Sequence, residues 1–324
     1  MRRRDLLGGT AAGMLVGSGA ARGADPARIA VVLSGTPQTH DIFLAAFRRG
    51  LVQVRLVEGQ DVVLAPHYLQ GDFSRLPALA ATIIGSQTRV VVAASSGTIA
   101  GLRRTATSIP MVMAAGSDPI GAGVAASLAR PGGNVTGITS QYVDLVEKQF
   151  GFLPEMLPGL RRVLGLRGAN APNSGRREDE FLRVAARLAI AADVVALPDH
   201  PDFGELRAGV AAQRPDAIFV FSDPVTLTHH GAIMAIAHAA RIPVVAPFRE
   251  FAQAGALMSY GASLVAGWER AAWFVDRILK GANPAEMPIE QPTRFELVIN
   301  MKTARALGLS IPASALAGAD EVIE

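Results

Sequence analysis

Ser-Asp-Pro occurs twice in this chain of 324 residues, as Ser117-Asp118-Pro119 and as Ser222-Asp223-Pro224. Each copy follows a short apolar run, and the proline suits the first turn of a following helix. Serine and aspartate in that position have two uses. They cap the helix by accepting its unpaired N–H groups, or they offer a hydroxyl and a carboxylate to a ligand at the carboxyl end of a strand, where open α/β sheets bind ligands. Spacing alone leaves both uses open.

Other apolar runs end in the same style, in Ser34-Gly35-Thr36, Ser95-Ser96-Gly97-Thr98 and Gly168-Ala169-Asn170. Glycine lets a ligand approach the backbone closely. Exposed N–H groups at helix starts favour a carboxylate or another anion, and hydroxyls add donors and acceptors. Arg249-Glu250 follows the run PVVAPF; a guanidinium there either clamps a carboxylate through two parallel hydrogen bonds or pairs with the glutamate beside it. Small neutral hydroxyls suit recognition better than proton transfer.

Catalytic signatures are missing. There is no G-x-S-x-G elbow, no phosphate loop of the Walker type and no H-E-x-x-H. The stretch Gly121-Ala122-Gly123-Val124-Ala125-Ala126 mimics a dinucleotide fingerprint, but it follows Ser-Asp-Pro instead of a strand. His230 and His238 are two helical turns apart, so with His229 they read as solvated helix histidines and not as a metal cluster. The chain has no cysteine, which excludes disulfides, thiolate metal sites, a cysteine nucleophile and a lipidated N-terminal cysteine. No cofactor and no metal is expected, and the chain reads as a binding protein and not an enzyme.

These residues need a scaffold to bring them together. The runs RIAVVLS (28–34), DVVLAPHY (61–68), RVVVAAS (89–95), PMVMAAG (110–116) and NVTGIT (134–139) read as strands, being β-branched and too short for helices. Between them, 41–50, 75–86 and 98–107 carry apolar residues at helical spacing. The alternation restarts with a helix over 142–156 and strands at 162–166, 193–197, 217–221, 243–246 and 256–260. Helices are predicted at 177–190 and 228–240, and a strongly amphipathic one at 264–279 through Leu264, Val265, Trp268, Ala272, Val275 and Leu279. Strand alternating with helix means parallel sheets with right-handed crossovers, and about 300 residues exceed what a single core usually organises. Two similar α/β halves are expected.

The first 23 residues, MRRRDLLGGTAAGMLVGSGAARG, read as an export signal: arginines precede a weakly apolar stretch, and small residues end at a cut after Gly23. Arg3-Arg4-Asp5-Leu6-Leu7 fits the twin-arginine pattern, with ordinary secretion as the alternative. Their removal takes away Arg2, Arg3, Arg4 and Arg22 against Asp5, so the formal net charge of +3 falls to zero. A neutral chain has no global field to hold nucleic acid or an anionic membrane. A soluble, monomeric periplasmic protein without a lipid anchor is expected.

Several stretches together resemble the ABC transporter substrate-binding protein family of the tryptophan-binding-like type: LVEGQDV (56–62), RLPALAA (75–81), SDPIGAGVAASLARPGGNVTG (117–137), REFAQAGALMSYG (249–261), VDRILKGANPAEMPIEQPTRFELVINMKTARALGL (275–309) and the closing ADEVIE. The resemblance implies the type I periplasmic-binding fold, two lobes each with a parallel sheet flanked by helices and joined by a hinge. Lobe one is expected over 24–140 plus 261–288, and lobe two over 141–260 plus 289–324. It further implies a receptor that delivers a small solute to a membrane permease. Ligand would meet Ser34, Ser95, Ser96, Thr98, Ser117 and Asp118 from lobe one. From lobe two it would meet Asn170, Ser222, Asp223, Arg249 and Tyr260. The aspartates suit an ammonium group, the hydroxyls and helix starts a carboxylate, and Tyr260 with Phe248 an aromatic part. The chain departs from the family at 167–172, where RGANAP replaces an Asn-Pro-x-Asn-Pro-like turn, and at 51–56, which lacks a Gly-Tyr. A ligand-binding partner of a membrane sensor would share site and fold, and a secreted α/β enzyme is the third class.

Overall fold

The computed structural model describes residues 25–140, 145–170 and 174–324. The export-signal reading of residues 1–23 lies outside the described residues, as do residues 142–144 of the predicted 142–156 helix and Ala171 and Pro172 of the altered turn.

The strands β1 (Ala27–Leu33), β2 (Val62–Tyr68), β3 (Val90–Ala93), β4 (Met111–Gly116) and β5 (Val135–Thr139) form one sheet in the order β2-β1-β3-β4-β5. All its pairs are parallel. Both faces are covered, which is why the strands are nearly continuous in apolar residues. In β1 the period of two divides them: Ile29, Val31 and Leu33 join a core with Phe43 and Phe47 of α1 (Pro37–Gln53), whereas Ala30 and Val32 join one with Leu76 and Ile83 of α2 (Leu76–Gly85) and Leu102 of α3 (Ser96–Arg103).

After β5 the chain enters the second lobe. Helices α4 (Val146–Gly151) and α5 (Leu153–Met156) occupy most of the predicted 142–156 helix, interrupted at Phe152 ahead of Pro154, whose ring removes a helical donor. There follow β6 (Arg162–Gly168), α6 (Ser174–Arg187), β7 (Ala191–Leu197), α7 (Phe203–Gln213), β8 (Ala217–Val220), α8 (Pro224–Thr228), α9 (His230–Ala240), β9 (Val244–Ala246), α10 (Arg249–Gln253) and β10 (Met258–Gly261). The predicted 228–240 helix is α9, with the short α8 before it. Phe150, Phe181, Phe219 and Phe221 lock this core, with ring centroids 5.2 to 5.7 Å apart.

The chain crosses between lobes twice more. Helix α11 (Leu264–Leu279) returns to the first lobe, where Trp268 stacks on Phe43 with centroids 6.2 Å apart. Residues 289 and 290 are still held there: Ile289 is in the first lobe's core, and Glu290 bridges to Ile138 beside β5. Beyond them β11 (Glu296–Asn300), α12 (Met301–Leu307), α13 (Ala313–Ala317) and β12 (Glu321–Ile323) complete a seven-stranded sheet of order β12-β11-β10-β9-β8-β6-β7. Strand β10 runs out toward the crossing and β11 runs back from it, so this pair alone among that sheet's pairings is antiparallel. Among the described residues, no helix is long and apolar enough to cross a membrane.

Candidate ligand-binding site

The carboxyl ends of both sheets face one cleft. Its inner part is a cavity of about 40 Å³, lined from the first lobe by Ser34, His40, Phe43, Ser95, Ser117 and Trp268 and from the second by Arg177, Ser222, Asp223 and Phe248. An adjoining chamber of about 380 Å³ shares Gly97, Asp223 and Pro224 with it and adds Thr98, Asn170, Arg104 and Asp199. The inner space holds only a few waters, whereas the adjoining chamber leaves room between the lobes.

The hydroxyls come from strand ends. Ser95 caps α3, its Oγ accepting from Thr98 N–H at 3.1 Å and lying 2.9 Å from Thr98 Oγ1. Ser96 is fully buried; its Oγ accepts from Asp118 N–H at 3.3 Å, so it supports the neighbouring loop and lines neither cavity. Ser117 reaches the inner cavity. Asp118 Oδ1 accepts from Gly121 N–H at 2.9 Å, and its Oδ2 is 3.9 Å from Arg176 of the other lobe.

In the second lobe, Asp223 caps a helix and also borders the cleft. Oδ1 caps α8 by accepting from Thr226 N–H at 2.9 Å, Oδ2 accepts from Gly168 N–H at 2.7 Å, and the carboxylate borders both cavities. Burial raises its pKa above the usual carboxylate range, against the opposing pull of those N–H groups and of Arg177. Ser222 lines the inner cavity, and its carbonyl accepts from Arg177. Asn170 lies in the outer chamber.

Asp118, like Ser96, lines neither cavity, and two further predicted residues lie elsewhere. Arg249 pairs with Glu321 and, at 3.5 Å, with Glu296, joining α10 to the far strands of its own lobe. Tyr260 packs between Phe152 and Phe295, with centroids at 5.5 and 6.1 Å. Neither borders the two cavities. Phe248 does, and supplies the aromatic surface on that side.

The family model for "ABC transporter substrate binding protein" matches residues 29–323. The chain belongs to that family.

This substrate-binding protein is 21% identical over 252 residues to a "Tyrosine-binding protein" of Clostridioides difficile, covering 78% of this chain and 72% of that one. Among solved structures it is similar to an ABC domain in complex with L-Trp from Streptococcus pneumonia, with a TM-score of 0.83 and 24% identity, covering 92% of this chain and all of that one. It is also similar to a ligand-free, open substrate binding protein from Clostridium difficile, with a TM-score of 0.65 and 19% identity, covering 92% and 99%. These likenesses agree with the two-lobed type I periplasmic-binding fold.

Arg177, His40, Phe43 and Trp268 of the substrate-binding protein line the inner cavity and escaped the sequence reading of the site. Arg177 is 1% exposed and faces the inner cavity from the first turns of α6. Its signal was present: Arg176-Arg177 places two cations at the positive end of a helix, against the macrodipole. Phe43 read as an ordinary position of the first helix and His40 fell just before its expected start at residue 41, yet α1 begins at Pro37 and both reach the inner cavity. Burial lowers the His40 pKa to about 4, and His230 of the facing lobe adds to the shift. Among the described residues no group of His, Asp or Glu could hold a metal ion.

Proposed function

We propose that this substrate-binding protein captures a small carboxylate or zwitterion of the amino-acid type between its lobes and passes it to an inner-membrane ABC permease. The observation that carries the reading is the inner cavity itself. One buried guanidinium, several hydroxyls and three aromatic rings, Phe43, Phe248 and Trp268, converge from two lobes on one space. Arg177 and the start of α3 suit a carboxylate, Asp223 on the border of both cavities suits an ammonium group, and the rings suit an aromatic or apolar side chain. Relatives described as binding tyrosine and L-Trp support aromatic amino acids within that class.

In this reading, solute enters an open cleft and stabilises the closed form by touching both lobes at once. The hinge comprises the three crossings, near residues 140, 262 and 291–295. The protein works as a monomer in the periplasm, exported by a signal at residues 1–23 of the twin-arginine type. The neutral mature chain and the absence of lysine from the cavity linings disfavour polyphosphates and nucleic acid.

A thermal-shift screen of amino acids, small carboxylates, sugars and nucleosides tests the ligand class. A ligand at a hundred times its Kd stabilises the folded form by about 2.7 kcal/mol, and small-angle scattering of the same hit should show compaction. Stabilisation by neutral sugars or nucleosides alone would overturn the class. Stabilisation without compaction would overturn the closure.

A further inference from the structure

We infer that His40 is a specificity-determining positioning residue: it holds the Ser34 hydroxyl as a hydrogen-bond donor aimed into the cleft, so that this position selects a carboxylate or carbonyl oxygen on the solute. The inference rests on the carboxylate reading above and assigns one end of the ligand to one side chain.

The geometry is a chain of short contacts at the start of α1. Thr36 N–H donates to Thr39 Oγ1 at 3.1 Å, Thr39 Oγ1 lies 2.8 Å from His40 Nδ1, and His40 Nε2 lies 2.9 Å from Ser34 Oγ. The direction of each bond follows from counting protons. Thr39 has a single hydroxyl proton and three neighbours for it: His40 Nδ1, the Thr36 carbonyl at 3.2 Å and Thr36 Oγ1 at 3.3 Å. The Thr36 carbonyl already accepts the backbone N–H groups of Thr39 and His40, at 3.2 and 2.9 Å, which fills its two lone pairs. Of the two acceptors left, His40 Nδ1 at 2.8 Å is nearer than Thr36 Oγ1 at 3.3 Å, and the relay places the proton on that shorter contact, Thr39 O–H to His40 Nδ1.

That choice propagates. With Nδ1 accepting, a neutral imidazole carries its proton on Nε2 and donates it to Ser34 Oγ. Ser34 then turns its own proton away from the ring, toward the cavity that it lines. Hydrogen bonds aligned in one direction polarise one another, which makes the last donor stronger than an isolated hydroxyl.

Two further observations support the relay. The imidazole is 1% exposed with a pKa of about 4, so it is neutral at physiological pH. Gly35 is needed beneath it, because a Cβ there would lie 2.2 Å from His40 Nδ1 and 2.6 Å from Thr39 Oγ1. The backbone between the serine and the helix leaves room for this ring and this hydroxyl.

Nitrogen NMR of histidine-labelled, ligand-free protein at pH 7 reads the tautomer directly. The proton is expected on Nε2 of His40; a proton on Nδ1, or an imidazolium, overturns the relay. Binding of L-tryptophan and L-tyrosine is then compared with that of their carboxamides. In the wild type the acids should bind more tightly. In His40→Leu that preference should fall by about tenfold, the scale of one polarised hydrogen bond, while His40→Gln, whose amide N–H can replace Nε2–H, should restore most of it. An unchanged acid-to-amide ratio in a folded His40→Leu overturns the inference, and so does a His40→Gln no better than His40→Leu. If the wild type binds none of these probes, the ligand class fails separately, and the tautomer still decides the relay.

Discussion

Asp118 in the first lobe and Arg176 in the second face each other across the cleft, Oδ2 to Nη1, at 3.9 Å. The pair exists only while the lobes are together. Arg176 is 70% exposed, so solvent screens the attraction and the pair is worth less than about 1 kcal/mol.

Arg176→Ala should therefore weaken solute binding by no more than about fivefold in low salt, and the difference should vanish near 1 M salt, where the screening length shrinks to about 3 Å. Isothermal titration at two ionic strengths measures this. A larger loss that persists in salt would show that Arg176 holds the solute directly.

Arg177 is a different case, because it is buried and reaches the inner cavity. Arg177→Met should lower affinity for carboxylate solutes by roughly 1.5–3 kcal/mol, the scale of a charge-assisted hydrogen bond. It should also lower stability modestly, since the Ser222 carbonyl loses its donor. Equal affinity in a folded variant would remove Arg177 from the site.

Asp223 holds two backbone N–H groups as well as bordering both cavities. Asp223→Ala removes the α8 cap, worth about 1 kcal/mol, and strands the Gly168 donor, worth about 1–3 kcal/mol. Denaturant unfolding of the ligand-free protein should show a loss of roughly 2–4 kcal/mol. Asp223→Asn, still a cap but able to accept with only one oxygen, should lose about half as much. If Asp223→Ala leaves stability intact, these hydrogen bonds are not structural.

Glu250 and His40 should give opposite pH dependences of stability. Burial, with Glu296 adding, raises the Glu250 pKa from 4.5 to about 7, and its Oε2 is buried without a hydrogen-bond partner. The folded state thus favours protonated Glu250, so this contribution is full below pH 4.5 and is lost as pH rises through 7. His40 is lowered from 6.5 to about 4, so its contribution is full above pH 6.5 and is lost as pH falls through 4. Each is of order 3 kcal/mol at most, and between pH 4.5 and 6.5 they oppose. Unfolding midpoints across that window should be flat in the wild type. They should fall with acid in Glu250→Gln and rise with acid in His40→Gln, and parallel curves for all three proteins would contradict both assignments.

Gly35→Ala should disturb the relay without touching any ligand group. The new methyl overlaps the His40 ring and the Thr39 hydroxyl, so the ring must move and Ser34 loses its partner. A destabilisation of about 1–3 kcal/mol is expected from such overpacking, with a shifted His40 resonance as its local marker. An unchanged His40 resonance would mean that the ring does not sit as close to Gly35 as described.

Strand and helix positions were legible because both faces of a parallel strand are buried and write a continuous apolar run. The breaks were less so: Pro154 interrupts a helix whose apolar spacing continues through it. In the site, Ser34, Ser95, Ser117, Ser222 and Asp223 were readable as polar residues that follow strands, and all reach the inner cavity. Arg249 and Tyr260 satisfy the same local rule, yet they face Glu296 and Glu321 or aromatic neighbours. Position after a strand fixes which edge of the sheet a residue occupies. It does not fix which way the side chain points along that edge.

The order of strands and helices, the lobed α/β architecture and the polar strand ends were determined by the sequence itself, through burial patterns and turn residues that act over a few positions. Which side chains share the cleft was decided only by tertiary structure. Arg177 meets Ser222 across 45 residues, Gly168 meets Asp223 across 55, and Phe43 stacks on Trp268 from the far end of the chain. The first two meetings depend on β6 and β8 lying side by side in one sheet, and the third on α11 returning to the first lobe; no local periodicity encodes which strands become neighbours or where a later helix packs.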